Sequence, residues 1–121
     1  KYAWIVNSED GLDEISPYAK TNIVQLKDGK ISEIIIDPKD LSIGANKFED
    51  LLGDDAQFNA NKMISIFKGE DNDFSKAVCM NAAAGLIVSE KKFEFKDAYE
   101  SARLHILSGK TFENLKNIQN V

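Results

Sequence analysis

Asp28-Gly29 lies between two runs, Thr21-Asn22-Ile23-Val24-Gln25-Leu26-Lys27 and Lys30-Ile31-Ser32-Glu33-Ile34-Ile35-Ile36. Both runs are rich in β-branched residues, and an Asp-Gly pair suits a two-residue turn with positive φ, so the stretch is expected to form a β-hairpin. The register this imposes sets Leu26 against Ile31 and Ile23 against Ile34, giving apolar cross-strand pairs. Asp37-Pro38 closes the second strand, because proline has no N–H to give to a ladder. Upstream, Tyr2-Ala3-Trp4-Ile5-Val6 is a continuous apolar run of the kind found in strands covered on both faces. It gives way to the polar stretch Asn7-Ser8-Glu9-Asp10-Gly11, and Pro17 argues against a long helix from Leu12 to Ile15.

From Asn46 onward the pattern is helical. Phe48, Leu51 and Leu52 form one short apolar face stopped by Gly53. Asp54 and Gln57 have the spacing of a capping box, and the helix that follows is expected to run to about Lys68, with Ala56, Ala60, Met63, Ile64 and Phe67 on its buried stripe. Asp73 is the expected cap of the next helix, which reaches about Ser89 and is apolar around most of its circumference, so it must pack on several sides. A third long helix starts near Lys96 and ends at Gly109, and Thr111 can cap a last one carrying Phe112, Leu115 and Ile118. The fold class is therefore α/β: a partial sheet, made of one buried strand plus a β-hairpin, covered by four or five helices. One strand and a hairpin are little sheet for so much buried helix, so either further chain completes the sheet or copies associate.

Composition narrows the function. The net charge is -5, from 15 Lys and Arg against 20 Asp and Glu. Such a chain has no cationic surplus to displace counterions from a nucleic acid or to dock on an anionic membrane. No apolar run approaches the ~20 residues of a membrane helix. Cys79, the single cysteine, excludes an internal disulfide and fits a reducing compartment, so a cytoplasmic location is expected.

Among residues that could carry chemistry, the adjacent carboxylates Asp13 and Glu14 stand out. They follow a strand and a glycine-bearing loop, where they can offer several hard oxygen ligands to a divalent cation. Ligands of open α/β sheets gather beyond the carboxyl ends of strands, which is where this pair falls. The bland alternative is a solvated acidic loop, and spacing alone favours it, because a bare acidic pair is far from a specific motif. His105, the only histidine, has nothing nearby to complete a triad and is given no role. Cys79 lies in an apolar helix and is expected to be inert core. Asn59, Asn61 and Asn81 interrupt apolar helical faces, where amides usually bond loop backbone or neighbouring helices; for Asn81 a substrate contact is the lesser alternative. Neither a nucleotide-binding glycine fingerprint nor a Walker spacing is present.

Several runs together resemble one family. Glu9-Asp10-Gly11-Leu12-Asp13-Glu14-Ile15-Ser16 resembles the Gly-Leu/Met-Asp-Glu segment of anthranilate phosphoribosyltransferases. The resemblance continues through Thr21, the hairpin and Ile36-Asp37-Pro38-Lys39-Asp40-Leu41. It returns in Gly53-Asp54-Asp55-Ala56-Gln57-Phe58-Asn59-Ala60 and in Asn81-Ala82-Ala83-Ala84. Two departures blur the substrate-side loop: Asn7-Ser8 stands where the family usually has His-Gly, and Asp54 replaces a usual second glycine.

The resemblance implies that residues 1–121 are the carboxy-terminal part of the α/β domain, within a nucleoside phosphorylase/phosphoribosyltransferase-like catalytic domain whose amino-terminal helical domain is absent here. It implies a Mg2+-dependent transfer of phosphoribosyl from phosphoribosyl pyrophosphate to anthranilate, a step of tryptophan biosynthesis, through an oxocarbenium-like state. Asp13 and Glu14 would hold the Mg2+, and neither would be a catalytic acid, base or nucleophile. The family's glycine-rich phosphate loop, its anthranilate-contacting arginine and its helical dimer surface have no counterpart in the chain, so the isolated chain is expected to be inactive and its other substrate contacts are unassigned. Two alternatives stay open: a pyrimidine-nucleoside-phosphorylase-like enzyme of the same fold, and a non-enzymatic, self-associating interaction module.

Overall fold

A computed structural model describes residues 1–45, 48–89 and 94–119. Three strands come first: β1 (Tyr2–Ser8), β2 (Thr21–Lys27) and β3 (Lys30–Ile36). A 3-10 turn at Phe48–Leu51 precedes four helices: α1 (Ala56–Phe67), α2 (Asp73–Val88), α3 (Phe95–Leu107) and α4 (Lys110–Gln119). The helical pattern expected from Asn46 begins outside the described residues; where the chain is described again it is this 3-10 turn.

The hairpin forms as its turn chemistry dictates. Asp28 and Gly29 both take positive φ, 50° and 78°. Leu26 faces Ile31 and Ile23 faces Ile34. β1 pairs antiparallel with β2, from Tyr2 opposite Lys27 to Ser8 opposite Thr21, so the sheet order is β1-β2-β3.

β1 is not covered on both faces. Side chains alternate across a strand, and only the face carrying Val6 and Ser8 turns toward the helices. Ile5 on the other face is 74% exposed. That face continues across the sheet with Val24, Ile31 and Ile35, all exposed. Among the described residues no element packs on that face.

The core lies where the inner sheet face meets α2 and α3. Ile15, Ile23, Ile36 and Ile43 come from the sheet and its loops, and Met80, Ala83 and Ile87 from α2. Ala98, Tyr99, Ala102 and Ile106 come from α3, and Ile66 from α1. α2 packs on several sides as its composition requires, against β1, the 3-10 turn and α3. Along α1 the buried position is Ile66, while Ala56 and Ala60 are exposed and Met63, Ile64 and Phe67 are half-buried.

Helix ends differ from expectation by single residues, each for a visible reason. Asp55, not Asp54, caps α1 by accepting from the Phe58 N–H at 2.7 Å. Asp54 is instead held by Asn59, whose amide takes both its N–H (3.1 Å) and its carbonyl (2.9 Å). At α2 the cap is Asn72 in a reciprocal box with Ser75, which leaves Asp73 in the first turn. α4 starts at Lys110, before Thr111, and the Ser108 hydroxyl accepts from the Lys110 N–H. No described helix is long and apolar enough to cross a membrane.

Candidate metal centre in the loop between β1 and β2

Asp13 and Glu14 fall in the loop that leaves the carboxyl end of β1 and returns as β2. Both are exposed, while the next three residues, Ile15, Ser16 and Pro17, are buried. Neither carboxylate enters an ion pair among the described residues; Lys20, the basic residue of this loop, pairs with Asp37 at 3.6 Å. The acidic pair therefore points to water with its charge uncompensated, while the chain directly behind it is locked into the core.

The lock is built from short polar side chains. Ser8 N–H donates to the Leu12 carbonyl at 2.9 Å and Glu9 N–H to the Lys20 carbonyl at 2.9 Å, which closes the base of the loop. Ser8 Oγ also donates to the Lys20 carbonyl at 3.2 Å. This gives the departure Asn7-Ser8 a local role, since a serine there ties the two stems together. Asp10 is the internal brace: Oδ1 accepts from the Leu12 N–H at 3.3 Å and Oδ2 from the Ser16 hydroxyl at 2.5 Å. Ser16 Oγ accepts in turn from the N–H groups of Tyr18 and Ala19, and Thr21 Oγ1 accepts from the Ser16 N–H.

Burial pushes the Asp10 carboxyl up, but hydrogen bonds from Ser16, Ser8 and the Leu12 N–H outweigh it and hold the group below its ordinary value. Asp10 is therefore a carboxylate at neutral pH, committed to the loop and not to a ligand.

Asn81 fastens the loop to α2. Its Oδ1 accepts from the Ile15 N–H at 2.9 Å, and its Nδ2 donates to the Ile15 carbonyl at 3.1 Å and to the Ala77 carbonyl at 2.9 Å. Loop backbone is the partner expected of such an amide. The substrate contact weighed for Asn81 is not favoured by this arrangement, since both amide hydrogens are used. A groove of ≈ 380 Å³, lined in part by Trp4, Val6, Ile15, Asn81 and Val88, opens beside this clamp between β1 and α2.

The remaining candidates are as bland as expected. Cys79 is buried, and burial, with a smaller contribution from Asp71, pushes its thiol up to about 11 despite Arg103 nearby. His105 is exposed in the last turn of α3. Sequence reasoning missed Asp10, Ser16 and Thr21 as braces; the signal was there in short hydrogen-bonding side chains spaced around a proline.

The residues fit Mg2+ in a restricted way. No group of three or more acidic, histidine or cysteine side chains is gathered among the described residues. A divalent cation here would have two protein carboxylates and would need oxygens from water or substrate for the rest. Mg2+ is usually bound in that manner, through one or two carboxylates plus waters and substrate phosphates.

The chain is 80% identical over 121 residues to an anthranilate phosphoribosyltransferase of Pelagibacter ubique (strain HTCC1062), covering 100% of this chain and 37% of that protein. It is 36% identical over 116 residues to the enzyme of the same name from Thermoanaerobacter sp. (strain X514), covering 96% of this chain and 34% of that one. The chain thus spans little more than a third of the length of these relatives. The fold is that of the Thermus thermophilus anthranilate phosphoribosyltransferase crystal structure, with a TM-score of 0.84 over 96% of this chain and 34% of the other at 24% identity. A Saccharomyces cerevisiae anthranilate phosphoribosyltransferase in complex with PRPP and Mg gives 0.81 over 93% of this chain and 33% of that one at 22% identity. The family described as glycosyl transferase family, a/b domain, matches residues 1–112, and the chain belongs to it.

Proposed function

We propose that this chain is the magnesium-holding part of an anthranilate phosphoribosyltransferase, in which Asp13 and Glu14 anchor the Mg2+ that accompanies phosphoribosyl pyrophosphate. The observation that carries the proposal is the pair itself: adjacent, exposed, unpaired carboxylates at a strand mouth, on a loop otherwise fixed to the core. Support comes from the names of the relatives and from a related yeast enzyme solved with PRPP and Mg. In this reading residues 1–121 are the carboxy-terminal part of the α/β domain. The complete enzyme supplies the helical domain, the phosphate loop and the anthranilate contacts, in a cytoplasmic setting.

Charge supports the arrangement. Two carboxylates facing a polyanionic substrate would repel it unless a cation stood between them. When bound, the cation supplies Lewis-acid neutralisation of the charge that develops on departing pyrophosphate. The chain's own part is to hold hard oxygens in place and to keep the loop behind them dry and rigid; Asp13 and Glu14 neither give nor take a proton. In a complete enzyme, Asp13→Asn with Glu14→Gln is expected to lower Mg2+-dependent turnover by about 100-fold or more, with unchanged circular dichroism. Near-normal rates at limiting Mg2+ would remove the ion-holding role.

A second reading, self-association of the isolated chain, has its own observation. The all-round apolar helix that suggested it is buried or half-buried along α2 except at Ala82 and Gly85, and exposed apolar residues gather instead on the outer sheet face, with others scattered over the helices and the 3-10 turn. Ile5 (74%), Ile31 (75%) and Ile35 (64%) make that face a candidate contact between two copies.

A further inference from the structure

We propose that Asn81 is a positioning residue for the acidic pair, setting the stance of Asp13 and Glu14 by gripping the backbone of the residue that follows them. The inference rests on the magnesium reading above and adds to it a residue far away in sequence.

The Ile15 N–H belongs to the peptide plane that also carries the Glu14 carbonyl. By accepting from that N–H at 2.9 Å, the Asn81 carboxamide fixes the orientation of Glu14's own peptide. By donating to the Ile15 carbonyl at 3.1 Å it fixes the next plane as well. One contact would leave the loop free to pivot; two contacts to one residue do not. The third bond, Nδ2 to the Ala77 carbonyl at 2.9 Å, stops the carboxamide from swinging. Behind it α2 is packed into the core, with Met80 and Ala83 both 0% exposed.

The segment after the pair continues along the same helix. The Tyr18 hydroxyl donates to Asp73 Oδ2 at 3.4 Å, two turns of α2 before Asn81, or about 12 Å at helical rise. Ile15 to Tyr18 therefore lies along α2, and Asn81 is the point where the loop is let go. Everything beyond that point toward Asp13 faces water. The loop has other anchors, the Ser8, Asp10, Ser16 and Thr21 contacts together with the buried Ile15 side chain, so losing the carboxamide loosens the pair without releasing the loop.

The test uses the 121-residue chain, Mn2+ as the hard-cation probe, and three variants: Asn81→Ala, Asn81→Ser and Asp13→Asn with Glu14→Gln. Mn2+ affinity is measured by titration and the Ile15 amide by hydrogen exchange. The Asn81 variants are expected to keep the circular dichroism spectrum and α2 amide protection, to expose the Ile15 amide to exchange, and to bind Mn2+ about 10–100-fold more weakly. Unchanged affinity in both Asn81 variants, with binding abolished in the carboxylate double variant, would overturn the role of Asn81 alone. Unchanged affinity in the double variant would overturn the ion reading and this inference with it. Global unfolding of both Asn81 variants would also overturn it, because Asn81 would then be a determinant of the fold.

Discussion

Cys79 and Tyr99 show at the level of single residues how burial rather than catalysis shapes the titrations of this chain. Both sit between α2 and α3, 2% and 6% exposed. Burial is the main cause that pushes the thiol up to about 11 and the phenol up to about 12, with Asp71 adding to both and Arg103 partly offsetting. In each case the fold prefers the neutral form. Its contribution to stability is therefore complete below the ordinary value and is lost as pH rises through the folded value. Thermal midpoints should hold to about pH 9 and then fall between about 9 and 12, and Tyr99→Phe should flatten the upper part of that fall. At neutral pH a thiol reagent should modify Cys79 only as fast as the chain opens; rapid stoichiometric labelling of the folded chain would contradict this. Met80, fully buried beside them, should cost about 2–5 kcal/mol on Met80→Ala, measured by denaturant unfolding. The placement of Asp13 and Glu14 was legible in the sequence because a strand, a glycine loop and the pair follow in order. Asn81's partner was legible only as a type, since the bond to Ile15 spans two distant parts of the chain.

Elements differed in how much they revealed. The hairpin was readable down to its register because Asp28-Gly29 fixes the turn locally, and one face of each strand then follows. Helix starts were readable only to within a residue. Asp54-Asp55 and Asn72-Asp73 each offer two capping side chains in a row, and which one bonds depends on where the helix is anchored by packing. The structure chooses Asn72, so Asn72→Ala should cost about 1 kcal/mol by removing the cap bond to Ser75. Asp73→Ala loses no such cap and instead removes the ion-pair partner of Lys76 at 2.7 Å and the acceptor of the Tyr18 hydroxyl. For β1 the apolar run gave the strand but not its covering: within these residues its second face carries Ile5 in the open, and a continuous apolar run does not say what packs on each face. That open face makes a prediction of its own. Sedimentation of the purified chain should show mass rising with concentration, and Ile5→Thr with Ile35→Thr should return it to the monomer. A wild-type chain that is monomeric at every concentration would contradict the sheet as a contact surface.

For the molecule as a whole, the sheet and α2 hold a short acidic loop, and the loop presents two charges to solvent at the mouth of β1. The membership of the family was readable in the sequence from the ordered runs around Asp13-Glu14, Asp54-Asp55 and Asn81, and the matching family region confirms it. Activity belongs to the proposal for the complete enzyme: these 121 residues alone should form no measurable phosphoribosylanthranilate, and robust formation would show that the rest of the relatives' length is dispensable for the reaction. The central claim, that the two exposed carboxylates hold a divalent cation, is tested most directly by mapping Mn2+ onto the chain by paramagnetic broadening of its backbone amide signals. The account predicts loss of signal centred on Asp13, Glu14 and Ile15, and its disappearance in the Asp13→Asn/Glu14→Gln chain. Broadening centred on other acidic residues, or unchanged in that variant, would contradict it.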